Sequence, residues 1–170
     1  MLTDTDDLRF LRMSFDIARK SREGGDHPFG ALLVDTDGTV LMEQGNGYSA
    51  EGCDMTAHAE RLLASRASRA YGSERLRSCT LYSSAEPCAM CSGAIYWAGI
   101  GRVVYGQSDK NLKAMTGNHA ENPTLDLPCR TVFEAGQQTG ELVGPPLAEG
   151  PAGLQAEFWN AHPAGHSRNP

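Results

Sequence analysis

Near the start of the chain Leu8, Leu11, Phe15 and Ala18 recur at spacings of three and four, so residues 6–20 are expected to form a helix with one apolar face on a core, ended by Gly24 and Gly25. The period then shortens. Residues 29–34 form an apolar run, Asp35-Thr36-Asp37-Gly38 has the composition of a tight turn, and residues 39–42 are apolar again. That pattern predicts a β-hairpin with Asn46 just past its second strand. A polar, glycine-bearing loop over 47–54 leads into residues 56–70, rich in the helix formers Ala, Leu, Glu and Arg, with Thr56 as the cap. Residues 79–83 read as a strand. Pro87 then opens 88–98, whose small and apolar residues suit a buried helix, and 103–105 returns to strand. Beyond Asn118 the pattern weakens: 127–138 reads as a helix starting at Pro128, 141–143 as a short strand and 154–159 as a last helical turn or two. The order helix, hairpin, helix, strand, helix, strand predicts a layered α/β domain with some parallel pairing.

Composition narrows the function classes. With 170 residues, 40% of them hydrophobic, the chain is long enough for one substantial core and short for two. Residues 1–161 are therefore expected to form one domain, and 162–170, dominated by polar residues, Pro and Gly, a mobile tail. A net charge of -6 argues against a surface that collects phosphates, so the expected partner is a small neutral or weakly charged molecule and not a nucleic acid. The opening Met-Leu-Thr-Asp-Thr-Asp-Asp lacks the charged-then-apolar order of a signal peptide, and no apolar run approaches the roughly 20 residues of a membrane helix. Both features predict a cytoplasmic protein without a membrane partner. Five cysteines, two of them in a Cys-x-x-Cys pair, point in a reducing compartment to metal or redox chemistry.

The candidate chemistry lies in two short segments, His58-Ala59-Glu60 and Pro87-Cys88-Ala89-Met90-Cys91. Each alone is weak, since a Cys-x-x-Cys pair serves equally as a redox couple, a zinc half-site or two buried small residues. Together they match the H-x-E and P-C-x-x-C signature of zinc deaminases. Cys88 and Cys91, three apart on an expected helix, would lie on one face, in a first turn whose dipole favours the thiolates that zinc binds. His58 makes a third ligand and leaves a fourth tetrahedral position open for water, as catalysis requires. Glu60 follows His58 by two positions, roughly 200° around an ideal helix, and is therefore read as a non-ligand carboxylate. The expected reaction uses Zn²⁺ to acidify a water, Glu60 to move the protons, and the water oxygen to attack an amino-bearing ring carbon, so that ammonia leaves and a carbonyl remains. Cys53, Cys79, Cys129, His27, His162 and His166 have no ligand spacing and are read as packing, turn or surface residues.

Over residues 28–106, through Pro28-Phe29-Gly30-Ala31, Ala57-His58-Ala59-Glu60 and Glu86-Pro87-Cys88-Ala89-Met90-Cys91, the sequence resembles the cytidine deaminase superfamily. The branch it resembles holds guanine deaminases, tRNA adenosine deaminases and small-base cytosine deaminases, and Gly93-Ala94-Ile95-Tyr96-Trp97-Ala98 looks most like the guanine deaminases. The resemblance implies a three-layer α/β/α fold with a mixed sheet of about five strands, and a homodimer. It also implies that Asn46 hydrogen-bonds the base, that the backbone at Ala59 and Glu60 faces substrate, and that Phe29 and Trp97 wall the pocket. A free nucleobase-like heterocycle is the implied substrate, with guanine first, cytosine, isocytosine, triazine or pterin rings behind it, and tRNA adenosine or an inactive zinc-binding module further back. The chain departs from the guanine deaminase pattern after Gly106. Neither their acidic residue after the last central strand nor their C-terminal tyrosine has a counterpart in Met115-Thr116-Gly117-Asn118-His119 or Ser167-Arg168-Asn169-Pro170, which leaves His119 and Glu121 as candidate polar selectors.

Overall fold

The computed structural model describes residues 2–116, 125–138, 140–145 and 160. Helix α1 spans Asp4–Glu23 and is longer at both ends than its apolar periodicity marks. Thr3 starts it with a reciprocal capping box: its hydroxyl accepts from the Asp6 amide while Asp6 accepts from the Thr3 amide. Gly24 ends it. The hairpin follows as β1, Gly30–Val34, and β2, Val40–Gly45. Helix α2 runs Ala59–Ala70, α3 Ser73–Ser78, strand β3 Thr80–Ser83, helix α4 Ala89–Ala98 and strand β4 Arg102–Tyr105. Helices α5, Asp109–Thr116, and α6, Cys129–Glu134, precede the edge strand β5, Glu141–Val143.

The strands form one sheet in the order β2-β1-β3-β4-β5. β1 is antiparallel to both its neighbours, whereas β3, β4 and β5 run parallel. Strand β1 is buried on both faces, and its alternation divides the core. Leu32 and Val34 pack with Phe10, Leu11 and Tyr82 under α1, while Ala31 and Leu33 pack with Leu63, Leu81 and Ile95 under α2 and α4. This is the three-layer α/β/α architecture, with α1 on one side and α2 and α4 on the other. Gly30 lets α1 approach: a Cβ there would lie 2.6 Å from the Ser14 carbonyl oxygen.

A buried ion pair locks α1 to the sheet. Asp7, only 4% exposed, accepts from the Tyr82 hydroxyl at 2.7 Å and from two Arg102 nitrogens at 2.8 and 2.7 Å. Arg102 reaches on to Glu141 at 2.8 Å, so the first residues of β4 and β5 join the same network. Burial pushes the Asp7 carboxyl up, but the Arg102 and Tyr82 hydrogen bonds outweigh it and hold the group below the usual carboxylate range.

Several local expectations are corrected. Helix α2 begins at Ala59 and not at Thr56, because the Thr56 amide and hydroxyl are both engaged by the Asp54 carboxylate at 2.8 Å in a turn. Helix α6 is shorter than the expected 127–138 and gives way to Gly136 and Gln137, whose amide donates to the Tyr96 hydroxyl at 3.0 Å. Helices α3 and α5 were not expected: each buries a single apolar residue, Leu76 and Leu112, so neither shows a period. The expected helical turn at 154–159 and the tail 162–170 lie outside the described residues.

Candidate metal centre and cleft

The helices α2 and α4 meet at their N-termini beside the C-terminal end of β3. His58 is the N-cap of α2 and Cys88 the N-cap of α4, both with extended backbone, and Cys91 lies in the first turn of α4. His58 is therefore not a helical residue, and the expected 200° separation from Glu60 does not describe the site. What separates them is the cap itself, which turns His58 out toward Cys88 while Glu60 enters the helix. The His58 Nδ1 lies 3.6 Å from both Cys88 Sγ and Cys91 Sγ, and the three ligand atoms lie within 4.8 Å of one another. Zinc bonds of about 2.3 Å to sulfur and 2.0 Å to nitrogen at tetrahedral angles put such atoms about 3.6 Å apart. The donor set fits zinc in chemistry and in spacing, and among the described residues no fourth ligand joins it.

Charges in the cluster suit a cation. A hydrogen bond from Cys91 brings the Cys88 thiol down to about 4 against the penalty of burial, with further support from His58. The same pairing pushes Cys91 up, so the cluster without a cation keeps one thiolate and one thiol, and a divalent ion would displace the remaining proton.

Glu60 sits at the edge of this cluster. It is buried, its Oε1 accepts from the Ser83 hydroxyl at 2.7 Å, and its Oε2 lies 3.6 Å from Cys91 Sγ. Burial pushes its carboxyl up, opposed by His58 and by the Ser83 hydrogen bond. Ser83 thus fixes one carboxylate oxygen and leaves the other facing the ligands.

His58, Glu60 and Cys88 open into a cleft whose walls include Phe29 and Asn46. The hairpin brings those two together, since the Asn46 amide donates to the Phe29 carbonyl at 3.1 Å. Asn46 lines the cleft, and its Oδ1 accepts from the Tyr48 amide at 2.9 Å, which assigns the side-chain NH₂ as the group left to donate. Ala59 packs its methyl in the core and is not a wall residue; its amide opens α2, a helix whose N-cap makes no side-chain hydrogen bond. Trp97 lies elsewhere: it is 83% exposed, at the far end of α4, and does not line the cleft. His119 and Glu121 lie outside the described residues.

Three acids given no role in the sequence reading stand in the cleft, Asp54, Glu86 and Asp109. Burial and the nearby Glu86, Cys88 and Glu60 push Asp109 up to about 7. The signal for Asp109 was present in Gln107-Ser108-Asp109-Lys110: a serine followed by charged residues after a strand opens a helix, and the Ser108 hydroxyl does accept from the Asn111 amide at 3.3 Å. Glu86 sat within the Glu-Pro-Cys segment, read only for its cysteine.

No helix among the described residues is long and apolar enough to cross a membrane. A Schizosaccharomyces pombe protein described as a probable cytosine deaminase is 38% identical over 154 residues, which cover 91% of this chain and 93% of the relative. A tRNA-specific adenosine deaminase of Agrobacterium fabrum is 42% identical over 100 residues, 59% of this chain and 64% of that one. The crystal structure of the Bacillus subtilis guanine deaminase, 26% identical, superposes with a TM-score of 0.56 over 99% of both chains. Residues 4–107 match the family described as the cytidine and deoxycytidylate deaminase zinc-binding region. With that match, the shared fold and the converging His58, Cys88 and Cys91, the chain belongs to the cytidine and deoxycytidylate deaminase family and is a zinc-dependent deaminase.

Proposed function

We propose that the protein hydrolytically deaminates a free nucleobase-like ring, with guanine the first substrate to test. The observation that carries this reading is Glu60, buried, fixed by Ser83 through one oxygen and turned by the other toward the ligand cluster, beside an open cleft. Zinc held by His58, Cys88 and Cys91 would supply the Lewis acidity that makes a water reactive at neutral pH. Glu60 takes the two protons of the attacking water in turn and delivers one to the ring nitrogen and one to the departing amine. The ring carbon gains oxygen, loses its nitrogen as ammonia and ends as a carbonyl.

The walls narrow the ring. Asn46 offers a donor for a ring carbonyl and Asp109 an acceptor for a ring N–H, a pair that guanine and cytosine both satisfy and adenine, without a carbonyl, does not. Among the described residues the cleft walls contain Asp54, Glu60, Glu86 and Asp109 and no lysine or arginine, which disfavours a nucleotide phosphate or a tRNA backbone. Guanine is favoured by the end-to-end superposition on a guanine deaminase. Cytosine is the second reading, supported by the fungal relative that spans nearly the whole chain. A cytoplasmic homodimer is part of the proposal: Trp97 and Met90, 83% and 37% exposed, lie seven residues apart on one face of α4, where a second copy would cover them.

The test is ammonia release by zinc-loaded protein from guanine, cytosine, isocytosine, ammeline, pterin, nucleosides and a tRNA anticodon stem. Turnover of a free base supports the proposal. Turnover of the tRNA stem alone, or of nothing despite bound zinc, overturns it.

A further inference from the structure

We infer that Glu86 is a positioning residue that sets the register between the metal ligands and the opposing wall of the cleft. It lies between β3 and the Pro87-Cys88 turn, and both of its carboxylate oxygens are committed. Oε2 accepts from the Asp109 amide at 3.0 Å and Oε1 from the Cys129 amide at 2.9 Å. These amides belong to the first residues of α5 and α6. The Glu86 amide in turn donates to the Gln107 carbonyl at 2.7 Å. One buried residue therefore holds the metal-ligand turn, the segment after β4 and the start of α6, although Asp109 and Cys129 lie 23 and 43 positions away in sequence.

First-turn amides have no acceptor within their own helix and carry the positive end of its dipole, so a carboxylate set between two of them binds both. Among the described residues no other side chain accepts from either amide. The N-cap of α6 is Pro128, which makes no side-chain cap, and the Ser108 hydroxyl at the start of α5 takes the Asn111 amide instead. Cys88 follows Glu86 by two residues, so the clamp and the ligand move together. The distance from the metal site to Asp109 is thus set by a side chain and not by continuous backbone. Glu86 acts on substrate through Asp109, and to that extent the inference rests on the proposed reading of Asp109 as a ring-facing acceptor.

The exchange arm of the test does not depend on the substrate. In the zinc-loaded protein the Asp109 and Cys129 amides are expected to be protected from hydrogen exchange, unlike ordinary first-turn amides. Glu86→Gln, which turns an NH₂ against one of them, should speed exchange of at least one about tenfold or more, while the exposed control Glu43→Gln leaves both unchanged. With guanine or cytosine, whichever is turned over, Glu86→Gln should raise KM about tenfold or more, with kcat within about threefold and one zinc per chain retained. Cys129→Pro removes one donor at a first helical position that proline accepts, and should move KM in the same direction with a smaller change, which covers the case of an unfolded Glu86→Gln. Rapid exchange of both amides in the unsubstituted protein overturns the clamp. An unchanged KM, or kcat and kcat/KM falling together, overturns the positioning role. Failure on the panel of bases alongside intact protection of both amides would count against the proposed substrate and not against the clamp.

Discussion

Replacing Arg102 by Met keeps most of the side-chain volume and removes the charge that faces Asp7. The Asp7 carboxylate would then keep the Tyr82 hydroxyl alone of its three donors, in a site where it is 4% exposed. Breaking one side of a buried ion pair costs about 3–5 kcal/mol. The Arg102 side chain is itself 21% exposed, which places this case near the lower end, about 3 kcal/mol. The outer contact to Glu141, whose side chain is 63% exposed, adds at most a few tenths, on the order of a surface pair. For a chain of this size about 3 kcal/mol corresponds to a fall in Tm of roughly 6–12 °C. The pH dependence gives the sharper test. In the parent protein the Asp7 carboxyl is held below its ordinary 3.8, so its stabilisation is present above that value and is lost as pH falls through the lower folded value. In Arg102→Met the buried carboxylate resists ionisation and its folded pKa rises, so the variant loses stability as pH climbs. The gap between the two proteins should therefore be wide at pH 7 and small at pH 4. Urea denaturation of zinc-loaded protein at both values measures it, and Asp7→Asn combined with Arg102→Met should cost less than the sum of the two by about 2 kcal/mol. A loss below about 1 kcal/mol at pH 7, or one equal at the two pH values, would refute the account of the lock.

Glu60→Gln should keep one zinc per chain, read by metal analysis, and lower kcat by about 10²-fold or more; retained turnover would remove Glu60 from the proton path. In metal-free protein Asp109 is pushed up to about 7 from 3.8, so the folded state binds a proton more tightly than the unfolded one, and the stability this supplies is lost as pH rises through 7. Asp109→Asn should accordingly gain stability over the metal-free parent at pH 8 and show no gain at pH 4, by urea denaturation. Trp97→Glu should shift the protein toward monomer in sedimentation, and an unchanged mass would remove α4 from the proposed interface.

The parts of the fold legible in the sequence were those with an apolar face or an apolar run bounded by turn residues. Helix α1 shows its period because it covers one face of the sheet, and β1 and β2 show theirs because a four-residue turn separates two apolar runs. The edge strand β5 was placed correctly over Glu141–Val143. Helix α5 shows no period, since Leu112 alone carries its packing, and only its Ser108 cap marks its start. At the site, His58, Cys88 and Cys91 were legible because metal ligation restricts residue type and spacing together. Ser83, Glu86 and Asp109 were not, because each acts across the sheet on a residue more than twenty positions away, and nothing in the local sequence of one records the other. Trp97 was placed by resemblance alone, and in the single chain it stands exposed on the outer face of the helix that carries Cys91, away from the cleft.

The two helix caps that supply ligands also have a meaning for chain topology. His58 and Cys88 are 30 positions apart, and the chain between them contains α2, α3 and β3, the strand at the middle of the sheet. A cation gripped at both ends ties that stretch into a ring, much as a disulfide would. In the unfolded chain a closed ring of this length has fewer conformations to explore, by an amount equivalent to about 4 kcal/mol. The same three atoms that would hold the zinc would therefore staple the central strand to its neighbours in a cysteine-bearing protein that forms no disulfide among its described residues. Stripping the metal with a chelator should loosen the fold as well as silence the chemistry, and both losses should return together on adding zinc.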